Sequence, residues 1–163
     1  MFASMEEKEL RASRAAELFL KGYNCCQSVV LAFADIIYEK SGVNEAQLEA
    51  VASGFGGGIA RMREVCGCVT GMTMVAGLLN PAPAAESGDK AGMDARHANY
   101  ALVQSLAAKF REAQGSIVCR ELLQLRSGAP DSPRPSERTP EYYRSRPCAA
   151  LVACAAGILA ETL

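Results

Sequence analysis

The chain has almost no net charge, no tryptophan, one histidine and no long apolar run. Its 17 lysines and arginines stand against 18 acidic residues, for a formal charge of -1. That balance leaves no basic footprint for nucleic acid or for an anionic membrane surface. The two most apolar stretches, 65–79 and 148–160, fall short of the roughly 20 residues that a membrane-spanning helix needs. The first ten residues, MFASMEEKEL, show neither the basic nor the apolar region of a secretory signal. A cytoplasmic protein without membrane insertion is therefore expected.

Several cofactor motifs are missing as well. No Cys-x-x-Cys occurs, which removes both the thioredoxin-type motif and c-type haem attachment. There is no compact ferredoxin-type run of cysteines. There is no P-loop, and the Gly54–Gly58 cluster follows no strand pattern, so no nucleotide site is expected.

What is present is an apolar chain of 163 residues, 50% hydrophobic and 21% charged. That length suits one domain with a real core, and the composition is too apolar for disorder. No strand alternation recurs, no internal repeat is visible and alanine is abundant. These features predict a single all-α domain over 1–163, a bundle of about five to seven helices around a buried central one.

The periodicity places the helices. One is expected over 6–21, with Leu10, Ala15, Leu18 and Phe19 apolar and Gly22 ending it. Asn24 caps a second over 25–39, whose stripe is Cys25, Cys26, Val29, Val30, Phe33, Ile36 and Ile37. Asn44 caps a short helix to about Ala52. The central buried helix spans Ile59–Leu79, where Gly67 and Gly71 would admit another backbone. A long helix over 90–113 carries Met93, Tyr100, Val103, Leu106 and Phe110 on its apolar side. Ser116 caps a short helix over 117–124, and the last helix runs from near Pro147 to Ala160. Residues 127–140, with four of the seven prolines, read as a surface loop. His97 falls mid-helix and reads as structural or solvent-facing.

Seven cysteines against one histidine direct attention to sulfur. Free cysteine is also a small hydrophobe, and Cys154, among Val152, Ala153, Ala155 and Ala156, reads as core. Position sets others apart. Cys25 follows the cap Asn24, Cys119 lies three residues after Ser116, and Cys148 falls in the first turn of the last helix. Helix starts and nearby arginines favour thiolate, the nucleophilic and metal-binding form. Arg61, Arg63, Arg120 and Arg146 are the candidate cations. Two pairs are also close in sequence, Cys25-Cys26 and Cys66-Gly67-Cys68. A disulfide across either would close a strained, labile ring, and the second pair could chelate a soft metal.

Gly22-Tyr23-Asn24-Cys25, Gly56-Gly57-Gly58-Ile59 with Arg61, Cys66-Gly67 with Gly71, Cys119-Arg120-Glu121-Leu122 and Cys148 together resemble the C-GCAxxG-C-C family. Its members are small bacterial and archaeal proteins to which redox activity is ascribed. The resemblance covers about residues 12–160. It implies Cys25, Cys66, Cys119 and Cys148 as the functional set. It also implies a selenocysteine in place of a cysteine in some relatives and genomic association with transporter loci in many. The chain departs from the pattern at Cys68, where alanine is usual after Cys-Gly, and at Cys26, where small apolar residues are usual.

The leading expectation is a redox-active cysteine protein, a thiol–disulfide oxidoreductase if it is an enzyme. Cys25, Cys66, Cys119 and Cys148 would line one site, assisted by Cys68 and Cys26, for disulfide exchange or electron transfer with an unidentified redox partner. The alternative is a non-enzymatic metal-binding or sensing module, with zinc or an iron–sulfur cluster on Cys25, Cys66, Cys68, Cys119 and Cys148. A third reading makes the cysteines packing alone. The apolar 65–79 segment exceeds what one small bundle covers, so a homodimer is also expected.

Overall fold

In the computed structural model, which describes residues 4–126 and 131–163, the chain is all-α. Residues 127–130 of the expected proline-rich loop lie outside the described residues. The helices in chain order are α1 (Met5–Leu20), α2 (Cys25–Leu31), α3 (Ala34–Ser41), α4 (Glu45–Ala52), α5 (Gly67–Leu79), α6 (Lys90–Gln114), α7 (Cys119–Leu122), α8 (Pro140–Ser145) and α9 (Cys148–Thr162). Among the described residues no helix is long and apolar enough to cross a membrane.

The expected 25–39 helix is two helices, broken at Ala32–Phe33. The cause lies in α1. Its inner face is Arg11, Ala15 and Phe19, with Leu10 turned outward at 58% exposure. The buried Arg11 donates to the Ala32 carbonyl at 2.7 Å, to Asp35 through Nη2 at 2.9 Å and to Glu7 at 2.7 Å, and it lies over the Phe33 ring. A carbonyl released by a helix break needs a donor when buried, and Arg11 supplies it. Periodicity counts an arginine as surface and so misses this role.

The central helix is α5, which lies against α2, α6 and α9 and buries Cys68, Val69, Met72, Val75, Ala76 and Leu79. It begins at Gly67 and not at Ile59. Its glycines do admit a neighbour. A Cβ on Gly67 would come within 2.9 Å of the Cys25 Cβ, and one on Gly71 within 2.9 Å of the Val29 Cβ. α2 therefore crosses α5 closer than any larger residue allows. On α6 the core face is narrower than expected. Leu106 and Phe110 are buried, while Met93 and Tyr100 are 52% and 60% exposed.

Residues 57–63, of which 59–63 were expected to be helical, form a loop with backbone in the left-handed region. Gly57, Gly58, Ile59, Ala60, Arg61 and Arg63 have φ between 46° and 69°. Left-handed backbone costs roughly 1–2 kcal/mol for a residue with a side chain. Six backbone hydrogen bonds hold it, from Ile59 N–H to Phe55 through to Glu64 N–H to Gly58. Ala60 is exposed and has φ 46°, so it keeps the strain without a packing return. Ala60→Gly is expected to raise stability by about 0.5–1 kcal/mol, the Cβ relief exceeding the added unfolded-chain entropy. Urea denaturation measures it, and a loss of stability would contradict the strain.

Candidate functional site

All four cysteines of the sequence signature start a helix. Cys25, Cys119 and Cys148 are the first residues of α2, α7 and α9, and Cys66 is the residue before α5. Local features set each one. At α2 a capping box fixes the entry: the Asn24 side chain accepts from Gln27 N–H, and the Gln27 side chain accepts from Asn24 N–H. The Asn24 amide also donates to the Ser53 carbonyl at 3.0 Å, which ties α2 to the end of α4.

Cys66 and Cys119 are joined through backbone. Cys66 N–H donates to the Ile117 carbonyl at 2.8 Å and Cys119 N–H to the Glu64 carbonyl at 2.7 Å, around an isolated antiparallel bridge between Val65 and Val118. The Cys119 N–H is thus already used. Ser116 accepts from Val118 N–H at 3.0 Å and lies before the helix, so it is not the cap of α7.

These elements converge. Cys25, Cys66, Cys119 and Cys148 all line one cavity of about 310 Å³, with Gly56–Gly58, Arg61, Arg63, Arg138, Tyr142 and Arg146. Cys68 is fully buried behind it, near Cys25 and Cys66. Cys26 points the other way, fully buried with its sulfur 3.7 Å from the Met74 sulfur. Its neighbour Cys25 faces the cavity, so the adjacent pair is divided between site and core. Cys154 is half-buried on α9 and does not line the cavity. All seven cysteines are free thiols.

Of the four expected cations, Arg61, Arg63 and Arg146 line the cavity and Arg120 does not. Arg61 and Arg63 line the cavity and share Asp131, and the Arg63 Nη1 lies 3.8 Å from the Cys119 sulfur. Arg120 instead donates to the Met62 carbonyl at 3.4 Å and takes no part. Sequence reasoning missed Arg138. Its guanidinium sits over Phe19 at 4.5 Å and Tyr142 at 4.8 Å, and it donates to the Phe19 and Tyr23 carbonyls. The segment after Asp131 is therefore a wall of the cavity, carrying Pro133, Pro135, Ser136 and Arg138, and not only a surface loop. The one sequence signal was a dense run, Tyr142-Tyr143-Arg144-Ser145-Arg146, in a chain poor in aromatics.

The thiols are not equivalent. Cys25 is held well below the ordinary thiol range, because the Cys148 and Cys68 thiols hydrogen-bond to its sulfur and Arg138 is near. Cys148 is raised, first by giving its proton to that hydrogen bond and then by burial. Burial raises Cys119 despite Arg63 beside it. It also raises Cys68, and it pushes Cys26 up to about 12. The expectation of thiolates at every helix start is corrected. One thiolate, Cys25, is favoured, while Cys68, Cys119 and Cys148 are held protonated.

The buried thiols make stability depend on pH. An unfolded cysteine ionises near 8.5, whereas folded Cys26 stays neutral to about 12. The folded state then binds more protons, so this contribution is complete below pH ~8.5 and is lost as pH rises through the folded value. Between those limits Cys26 is expected to cost about 1.4 kcal/mol of stability per pH unit. Urea titrations at several alkaline pH values measure the slope, and Cys26→Ala should reduce it. An unchanged slope would contradict the burial effect.

An all-α fold that brings four helix-start thiols to one arginine-lined cavity defines a cysteine-site helical protein. The chain belongs to the C_GCAxxG_C_C family, described as "putative redox-active protein", whose model matches residues 23–162. No curated protein and no solved structure matches the chain.

Proposed function

We propose that the protein is a thiol–disulfide redox protein in which Cys25 is the nucleophile and Cys148 the resolving thiol. The observation that carries this reading is the shared cavity, which four cysteines far apart in sequence line together. The Cys25 thiolate attacks one sulfur of a substrate disulfide. A mixed disulfide forms, the substrate S–S bond breaks, and the leaving sulfur departs with the electron pair and takes up a proton. Cys148 then loses its proton and attacks the Cys25 sulfur, which releases the second substrate thiol. The products are a Cys25–Cys148 disulfide and two thiols, a two-electron transfer. A separate dithiol reductant restores the protein.

The rival reading is a zinc or iron–sulfur centre on the same sulfurs. Among the described residues no three His, Cys, Asp or Glu side chains gather so as to hold one ion, which favours the dithiol reading over a metal centre.

The test combines native thiol mapping with metal and sulfide analysis of protein prepared without air. Alkylation at neutral pH should label Cys25 first and leave Cys26 and Cys68 unlabelled. Oxidation by a small disulfide should consume two thiols and join the Cys25 and Cys148 peptides. Stoichiometric iron and sulfide, or zinc, would replace this reading with the metal centre.

A further inference from the structure

The cavity that holds the thiols also limits what can reach them. Cys66, Cys119 and Cys148 are only 4%, 7% and 7% exposed. The space in front of them is about 310 Å³, lined by both the Gly56–Gly58 loop and the Pro133–Arg138 segment. That volume is at the lower end of small-molecule sites. A disulfide inside a folded protein would have to bring its backbone along, whereas a low-molecular-weight disulfide enters alone.

The charge of the walls selects further. Arg61, Arg63, Arg138 and Arg146 line the cavity, and Asp131 is shared by the first two. Among the described residues neither Arg138 nor Arg146 has a carboxylate partner. Arg138 has only the carbonyls of Phe19 and Tyr23, at 3.5 and 3.3 Å, as acceptors. Both guanidinium groups lie 4.8 Å from the centre of the same ring, that of Tyr142. Two like charges held against one ring repel, and a carboxylate bound at either guanidinium relieves the repulsion and gains charge-assisted hydrogen bonds. α8 carries Tyr142, and only Pro147 separates Arg146 from Cys148, so this cationic pair adjoins the reactive sulfurs.

We propose that the cavity takes a low-molecular-weight disulfide bearing carboxylate groups, with a carboxylate at Arg138 or Arg146 and a sulfur presented to Cys25. The inference rests on the dithiol reading above and names its substrate class. Electrons and atoms balance as in that exchange: the carboxylate-bearing disulfide leaves as two thiols, and the Cys25–Cys148 disulfide is formed. The carboxylates take no part in the bond changes and serve to hold the S–S bond in place.

The test offers the reduced protein three small disulfides that differ in charge: dithiodiglycolate, hydroxyethyl disulfide and cystamine. Loss of protein thiols is followed at low and high salt. Dithiodiglycolate should react about tenfold faster than hydroxyethyl disulfide at low salt, with cystamine slowest, and salt should compress the order. Each rate is divided by that of the same reagent with a free thiol, which removes intrinsic reactivity. In Arg146→Gln the ratio of dithiodiglycolate to hydroxyethyl disulfide should fall toward one, and Arg146→Lys should restore part of it. Equal normalised rates for all three reagents would overturn the substrate class and leave the dithiol reading intact. No reaction of the folded protein with any of them, while the protein in denaturant reacts, would overturn both.

Discussion

Cys25→Ser is expected to slow the consumption of a small disulfide by the reduced native protein on the order of 100-fold or more, because a serine hydroxyl does not ionise near neutrality and forms no disulfide. Cys154→Ser should stay within about twofold of the parent, since Cys154 lies off the cavity. The pH dependence adds a sharper sign. Cys25 is held well below the ordinary thiol range by the Cys148 and Cys68 thiols and by Arg138. Its alkylation rate should therefore persist as pH falls below ~8.5, where ordinary thiols lose reactivity, and should fail only through the lowered folded value. Cys148→Ala removes the first of those donors and should shift the profile toward higher pH. In Cys148→Ser the mixed disulfide on Cys25 should accumulate, visible as added mass. A Cys25→Ser protein that keeps the parent rate would assign the nucleophile elsewhere among the cavity thiols.

Gly58→Ala is expected to be the most damaging conservative change in the site, costing about 2–5 kcal/mol from left-handed strain together with overpacking. Gly58 has φ +69°, and a Cβ there would lie 2.6 Å from the Cys119 Cβ, 2.8 Å from the Glu64 nitrogen and 2.9 Å from the Arg63 carbonyl carbon. Two of those three neighbours are backbone and cannot turn aside. The same backbone holds Cys119, whose N–H donates to the Glu64 carbonyl. The substitution should therefore lower the denaturation midpoint and also change the accessibility of Cys119 to alkylation. Gly54→Ala is the control, since a Cβ there meets nothing within 4 Å and φ is not positive. Equal midpoints for the two variants would show that the loop is not tightly packed on Cys119.

Legibility differed between the elements. Asn24 and Asn44 were readable as caps because capping is local: each side chain bonds the N–H three residues on. The start of α5 was not readable. Ile59 and Ala60 look helical by composition, and hydrogen bonds back to Phe55, Gly54, Gly56, Gly57, Gly58 and Ile59 hold the 57–63 backbone in left-handed turns. Arg11 was misplaced for a similar reason. Its acceptors Ala32 and Asp35 lie more than 20 positions away, beyond any helical period.

For the site, the sequence by itself determined the all-α class, the helix starts that carry Cys25 and Cys148, and the family to which the four cysteines belong. Local propensity, caps and glycine spacing encode those features, and each acts over a few residues. Only the tertiary structure decided which thiols face one another, that Cys26 turns to the core while Cys25 turns to the cavity, and that Arg138 is the cation near Cys25. It also decided the charge states. Cys119 and Cys148 begin helices as Cys25 does, yet burial and the shared proton keep them neutral. Ionisation of a thiol depends on all the groups that pack around it, and those come together only when helices distant in the chain are packed into one cavity.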